Sequence, residues 1–251
     1  MIMWSVYLLM FAPLCTVVVY SFLAPVADGG YELTTRYYKD LFANAAIGEA
    51  LGRSLVVAAG VAVIAGGIGA LGAFAIDRGR LPGFGLLRML SLLPLVMPEL
   101  VLGLASLLWF VTLRMTLGLH SMILAHVTFT VSYVVVTVRG RLQDFDRTLE
   151  DAAADLGCGF WRTLFLVTLP NVWPAVVAGM MMAFVLSFDD FLISFFNAGV
   201  GSDTLPLKLY SMIRFGLSRE MYALSSLLVL ITVAGVAVVR LAGRRRGRIS
   251  I

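Results

Sequence analysis

Residues 139–172 read RGRLQDFDRTLEDAAADLGCGFWRTLFLVTLPNV, a charged, helix-forming interval between two long apolar runs. Good helix formers extend from Thr148 to Leu156 with no Ser/Gly-rich linker. Asp146 stands where an N-cap belongs, acidic residues follow it, and Gly157 is placed to end the helix in a left-handed C-cap. A second short segment, Phe160 to Leu169, is expected to stop at Pro170. The interval therefore reads as a helix–glycine–helix elbow. Composition alone leaves two uses open, a docking surface or an ordinary connection.

Working outward, the solvent of the flanking runs comes next. The chain has 251 residues, 60% of them hydrophobic and 14% charged, with a mean hydropathy of +0.95, whereas a soluble domain averages about 25% charged. Six windows are long and apolar enough to span a membrane: roughly 3–23, 54–76, 89–112, 119–138, 172–196 and 221–241. The short alternating segments of an outer-membrane barrel are absent, so the expected class is an all-α membrane protein with six transmembrane helices, in which helices satisfy their own backbone groups. The first window has too long an apolar core, no preceding basic residue and only a weak cleavage site in FLAPVADGG, and it reads as a retained helix. Residues 1–251 are taken as one transmembrane domain, with the elbow as its segment 139–171.

Orientation follows from the basic residues. With both termini in the cytoplasm, twelve of the 19 Lys and Arg fall inside, among them Arg78, Arg80, Arg88, Arg139, Arg141, Arg147 and Arg162, and seven fall outside. The tail RLAGRRRGR suits anionic headgroups better than nucleic acid. Cys15 lies in the first window and Cys158 in the elbow, so no structural disulfide is expected. His120 and His126 have no Cys or carboxylate at ligand spacing, so no metal site is expected; each reads as a hydrogen-bonding residue near the outer end of the fourth window.

The elbow also carries a resemblance. EDAAADLG followed by FWRTLFLVTLP is similar to the EAA motif of the inner-membrane permease subunits of binding-protein-dependent ABC importers, a type I permease fold. Asp151 matches the motif acid, Ala152 and Ala153 the alanines, Gly157 the glycine, and Leu169 with Pro170 the closing LP. Aspartate replaces the family's usual glutamate at 151, which keeps the charge and shortens the reach. LPLVMPELVLGLASLL, LAHVTFTVSYVVVTVRGRL, FVLSFDDFLISFF and TLPLKLYSMIRFGLSREMYALSSLL resemble, in that order, segments of the spermidine and putrescine permeases. NAGVGSDTLP and SREMYAL depart from those members in an outer loop and at the start of the last window.

The resemblance implies a coupling helix that seats in a groove of an ATP-binding subunit, so that ATP-driven closure rocks the permease between inward-open and outward-open states. It implies Glu150, Asp151, Ala152, Ala153, Gly157 and Pro170 as coupling residues. It further implies a dimer of ATP-binding subunits, a second homologous permease chain and an external solute-binding protein. The chain has no phosphate loop of the G-x-x-x-x-G-K-[ST] type, so ATP and Mg are expected on the partner ATPase and none on this non-catalytic subunit. The expected location is the inner membrane, multi-pass.

Three acids lie inside the windows. Asp189 and Asp190 fall in AFVLSFDDFLISFF (183–196), and Glu99 follows Pro94 and Pro98 in SLLPLVMPELVLG. A charge at a helix centre costs about 2.5 to 3.5 kcal/mol on insertion scales, so such acids face a cavity, a partner or a transport path. Counted along straight helices, Asp189 lies about 22 Å from Pro174 and Glu99 about 16 Å from Arg88. Neighbouring helix positions differ by about 100°, so one aspartate should face a path and the other a neighbouring helix or loop. Apart from Arg240 at the cytoplasmic end of the last window, no Lys or Arg sits inside the windows to oppose them, which makes a cationic substrate the natural counter-ion. A salt bridge to a partner chain or a protonated, hydrogen-bonded carboxyl remains the alternative. Of the three, Asp190 ranks first for a path role, then Glu99, then Asp189. Trp109, Phe110, Phe184, Phe188, Phe191 and Tyr210 could offer ring faces to an ammonium group. AGGIGALGAFA (65–75) reads as a close-packing helix face.

Together these readings point to a permease subunit of an ATP-driven importer, with polyamines as the expected substrate. An importer of another small solute is the alternative within the class. A stand-alone secondary transporter or cation channel is the alternative outside it, although a docking elbow has no use there.

Overall fold

The computed structural model describes residues 2–26, 29–79, 84–215 and 219–246, with side chains at 2, 84, 215, 219 and 235–246 left aside. The described chain is helical apart from one hairpin, as the need to satisfy backbone groups inside lipid requires. It divides into two compact units, Met1–Glu49 with Lys208–Ile251, and Ala50–Leu207.

The first unit holds α1 (Ile2–Tyr20), the antiparallel pair β1 (Leu23–Pro25) and β2 (Tyr31–Leu33), and α2 (Arg36–Ala43). Most of α12 (Arg219–Arg246) packs against α1 and α2 in the same unit. Tyr38 ties the three helices together, with its hydroxyl 2.8 Å from Ser21 Oγ and 2.7 Å from Ser226 Oγ. Asn44 Nδ2 donates to Glu220 Oε2 at 3.0 Å. Nearly all of α1 is exposed and apolar, as a lipid-facing helix is.

The second unit is built on α3 (Ala45–Arg78, mostly within it), α4 (Phe84–Val96), α5 (Glu99–Thr112) and α6 (Leu119–Gln143). It continues through α7 (Thr148–Asp155), α8 (Phe160–Thr163), a π-helical turn (Leu164–Thr168), α9 (Leu169–Asp189) and α10 (Leu192–Asn197), and α11 (Leu205–Phe215) follows at its edge. Its core lies where α3, α6 and α9 meet, around Val57, Val61, Val134, Val138, Val172 and Val176. The small residues of 65–75 do form the close-packing face. A Cβ on Gly69 would fall 2.6 Å from Val134 Cβ, and one on Gly66 would fall 2.4 Å from Met180 Cγ.

The expected windows are corrected in two places. Among the described residues four helices are long and apolar enough to cross a membrane, Met3–Tyr20, Ala45–Arg78, Leu119–Gln143 and Phe160–Asp189. The window 89–112 is a bent pair, turned by 110° at Met97 and Pro98, because Pro98 cannot continue α4 and instead opens α5; it makes a fifth span if counted as one. The depth reckoned for Glu99 along a straight helix therefore no longer applies. The sixth window lies within the continuous helix α12 (Arg219–Arg246), and its described stretch Glu220–Ala234 is apolar. Finally, 172–196 is not one helix: α9 ends at Asp189 and the chain is extended at Asp190 (ψ 127°) before α10 begins. Pro170, expected to stop a helix, does not. The Leu169 amide reaches back five residues to Leu164 O, and this wider π turn accommodates the missing proline N–H and its ring.

Candidate functional site

Two constellations carry chemistry. The first surrounds the break between α9 and α10. Asp190, at the break, is 8% exposed. Its Oδ2 accepts the Ser194 amide at 2.8 Å and its Oδ1 faces the Ile193 amide at 3.4 Å, so the carboxylate caps the first turn of α10. The same Oδ2 lies 3.2 Å from Nε2 of His126, a fully buried residue of α6. His126 Nδ1 is 2.8 Å from Ser187 Oγ on α9, and Ser194 Oγ on α10 is 3.1 Å from Nε2. A carboxylate can only accept, so Nε2 carries the proton toward Asp190, and in the neutral ring Nδ1 accepts from the Ser187 hydroxyl. One buried imidazole thus joins three helices at the point where one of them breaks.

Asp189 takes the opposite direction. It is exposed, and with Glu99 it lines a cleft of about 270 Å³ walled by Phe129, Val185, Leu186, Phe191 and Leu192, with one edge of Asp190. Glu99 opens α5, where the positive end of the helix dipole favours a carboxylate. No Lys or Arg lines this cleft. Two exposed acids beside the half-buried ring of Phe191 form a surface that attracts cations.

The other residues singled out from sequence divide. Phe191 lines the cleft, and Phe184 stacks on Phe188 with ring centroids 6.0 Å apart. Phe110 is corrected: it is 5% exposed in a small core with Ala125, Phe129 and Ile193, where it has no face left for a ligand. Trp109 is exposed on α5 and does not line the cleft, and Tyr210 belongs to the other compact unit. Asp190, ranked first for a path role, borders the cleft while its carboxylate is engaged by His126 and by the amides of α10. His126 was read as a hydrogen-bonding residue, but its bond to Asp190, 64 positions away, has no signature in local spacing. Ser187, Ser194 and Asn197 were missed. Asn197 Nδ2 sits 3.2 Å from Gly103 O and 2.9 Å from Ser106 Oγ, fastening α10 to α5.

The second constellation is the elbow. Asp146 Oδ1 accepts the Thr148 amide at 3.0 Å, as the sequence led us to expect, and hydrogen bonds from the Thr148 side chain and backbone hold its carboxyl below the usual range. At the other end Gly157 has φ +82°, its amide donates to Ala154 O at 2.9 Å, and the Cys158 amide donates to Ala153 O at 3.0 Å. This pair of bonds is a Schellman cap. Glu150 bonds both Arg78, at the end of α3, and Thr168, in the π turn. Partial burial would raise its pKa, but these two hydrogen bonds and the Arg78 charge outweigh that and hold it below the usual range. Arg147 adds a second tie, Nη2 to Asp77 Oδ2 at 3.0 Å.

With Glu150 and Ala153 turned inward, α7 presents Asp151, Ala152 and Ala154 outward, and Leu156 follows at 86% exposure. Phe160 and Trp161 continue that surface at 64% and 67% exposure. Pro170 is exposed near the start of α9. Small side chains on an exposed, capped helix beside large apolar ones make a surface that another protein can approach closely.

Comparison with known proteins agrees with this architecture. Residues 65–247 match the family described as binding-protein-dependent transport system inner membrane component. The putrescine transport system permease protein PotI of Escherichia coli K12 is 38% identical over 231 residues, covering 88% of this chain and 81% of that one. The spermidine/putrescine transport system permease protein PotC of the same strain is 34% identical over 243 residues, covering 96% and 92%. A crystal structure of an amino acid ABC transporter with histidines aligns with a TM-score of 0.62 at 16% identity, over 85% of this chain and 100% of that one, a likeness of fold. The chain therefore belongs to the family of inner-membrane components of binding-protein-dependent transport systems, as a multi-pass permease subunit.

Proposed function

We propose that the chain is one permease half of an ATP-driven importer of polyamines, with the Glu99–Asp189 cleft as its contribution to the cation path. The observation that carries the substrate class is the cleft itself: two exposed carboxylates of separate helices face one space bordered by Phe129 and Phe191 and by no basic side chain. Family members named for putrescine and spermidine support the same reading. A cavity of about 270 Å³ lies just below the usual range of a complete ligand site, about 300–1,000 Å³, which suits a half-site completed by a second permease chain.

Coupling is assigned to the elbow. Asp151, Ala152 and the exposed apolar residues after α7 meet a separate ATP-binding subunit, which holds ATP and Mg. Glu150, Ala153 and Gly157 set the angle at which that surface is offered, and Pro170 continues it into α9. Solute arrives from an external binding protein, and both termini lie in the cytoplasm. The basic tail would rest on anionic headgroups; its side chains lie outside the described residues, as does Arg80.

The test is uptake of labelled putrescine and spermidine into liposomes holding the assembled complex, comparing wild type with the Glu99→Gln, Asp189→Asn double variant. Expected is retained assembly and basal ATP hydrolysis with polyamine uptake reduced at least tenfold. Unchanged uptake across substrate concentrations would show that the cleft is not on the path.

A further inference from the structure

A second cleft in the same compact unit has the opposite character. It measures about 290 Å³ between the end of α3, the start of α4 and the end of α6. Arg88, Arg139 and Gln143 give it a polar side, and Ile76, Leu92 and Val136 give it an apolar one. Among the described residues no carboxylate lies within ion-pair distance of either arginine, in contrast to Arg78 and Arg147, which both have acidic partners. Arg139 Nε is buried and has no hydrogen-bond partner. Guanidinium is a fork of five donors that cannot shed its charge, so burial of an unmatched N–H calls for an acceptor from elsewhere. Ser91 does not offer its proton here, since its hydroxyl donates to Arg88 O at 2.8 Å.

We propose that this cleft binds the phosphate of an anionic phospholipid, with Arg88 and Arg139 on the headgroup and Leu92 and Val136 along the start of the acyl chains. The two arginines lie on the face that the excess of basic residues assigns to the cytoplasm, where anionic headgroups meet juxtamembrane Arg. A soluble phosphate would use the guanidinium groups but would leave the apolar side uncovered. A phosphodiester on a lipid stem fills both, because Val136 is 46% exposed and continues the cleft toward the lipid-facing surface. The space beside Gly140 is open, since a Cβ added there would meet nothing within 4 Å.

The experiment uses the full chain with the subunits that co-purify, reconstituted in nanodiscs of equal phosphatidylglycerol and phosphatidylcholine, then released into detergent for native mass spectrometry. Expected is a retained phosphatidylglycerol adduct that Arg88→Gln and Arg139→Gln each weaken by about fivefold. Gly140→Phe should remove it by filling the cleft while both charges remain. Displacement of the adduct by inorganic phosphate would assign the site to a soluble anion and overturn the lipid proposal. Equal phosphatidylglycerol retention in all variants would overturn it too, as would loss of a partner subunit in the arginine variants with the adduct unchanged, since an acidic protein surface would then be the occupant.

Discussion

Two pairs of adjacent acids, Glu150–Asp151 in the elbow and Asp189–Asp190 at the helix break, follow one plan in two solvents. In each pair one carboxylate turns inward to hold helices together and its neighbour turns outward. The inward partners differ. Glu150 meets Arg78, a permanent cation about one-third exposed, whereas Asp190 meets fully buried His126 and the amides of α10. Water can take over part of what Glu150 loses, but nothing in the interior can do so for Asp190. The inner acid should therefore matter most for stability at the break and least in the elbow, while the outer acid of each pair is the one proposed to carry the function.

The largest expected effect separates the two inner acids. Asp190→Ala leaves His126 and the Ser194 amide without their acceptor inside the protein, and each buried donor left unsatisfied costs about 1 to 3 kcal/mol. The expected outcome is a markedly lower unfolding midpoint in detergent, read by fluorescence-detected size exclusion. A midpoint equal to wild type would break the comparison at its strongest point.

Next in size is the elbow's backbone. At φ +82° a side chain other than glycine pays about 1 to 2 kcal/mol or more, and since a Cβ at Gly157 touches nothing the cost is conformational alone. Gly157→Val should insert normally yet recover less ATP-binding subunit on purification and import little. Normal ATP-driven uptake would remove the docking role of the elbow.

Glu150→Gln should be milder, because the pair is only part-buried, Arg78 keeps access to solvent, and the amide oxygen still accepts from Arg78 and Thr168. Hydrogen exchange should speed up in 148–157 and leave the α9–α10 break unchanged. The smallest effect is in pH. The folded pKa of Glu150 is lowered, so its contribution is present above the ordinary glutamate value and is lost as pH falls from there through the folded value. Exchange in 148–157 should therefore rise on acidification in wild type more than in Glu150→Gln. Equal pH dependence in the two would place the acid sensitivity elsewhere.

The elbow was legible because its signals are local. Asp146, the helix formers that follow and Gly157 stand within twelve residues, and the structure places the cap bonds where that spacing puts them. The helical membrane class was legible from composition. What composition could not supply was the course of the chain at Pro98, Pro170 and Asp190. Proline removes one hydrogen bond in all cases, but whether the helix bends by 110°, widens into a π turn or continues depends on what packs against it. The aspartates split in facing, Asp189 exposed and Asp190 buried, but which of them turns outward has no local signature in the sequence. His126 reaches Asp190 from another helix, and only the packing of α6 on α9 and α10 decides which carboxylate it meets.

The most direct test of the division between inner and outer acids sets Asp189→Asn beside Asp190→Asn in the same assembled complex, measuring the unfolding midpoint and the concentration dependence of putrescine uptake for each. The account predicts that Asp189→Asn keeps the wild-type midpoint and loses uptake, while Asp190→Asn lowers the midpoint and the surviving complex imports with a wild-type KM. The reverse pattern, stable and transport-dead for Asp190→Asn but unstable and transport-competent for Asp189→Asn, would contradict it.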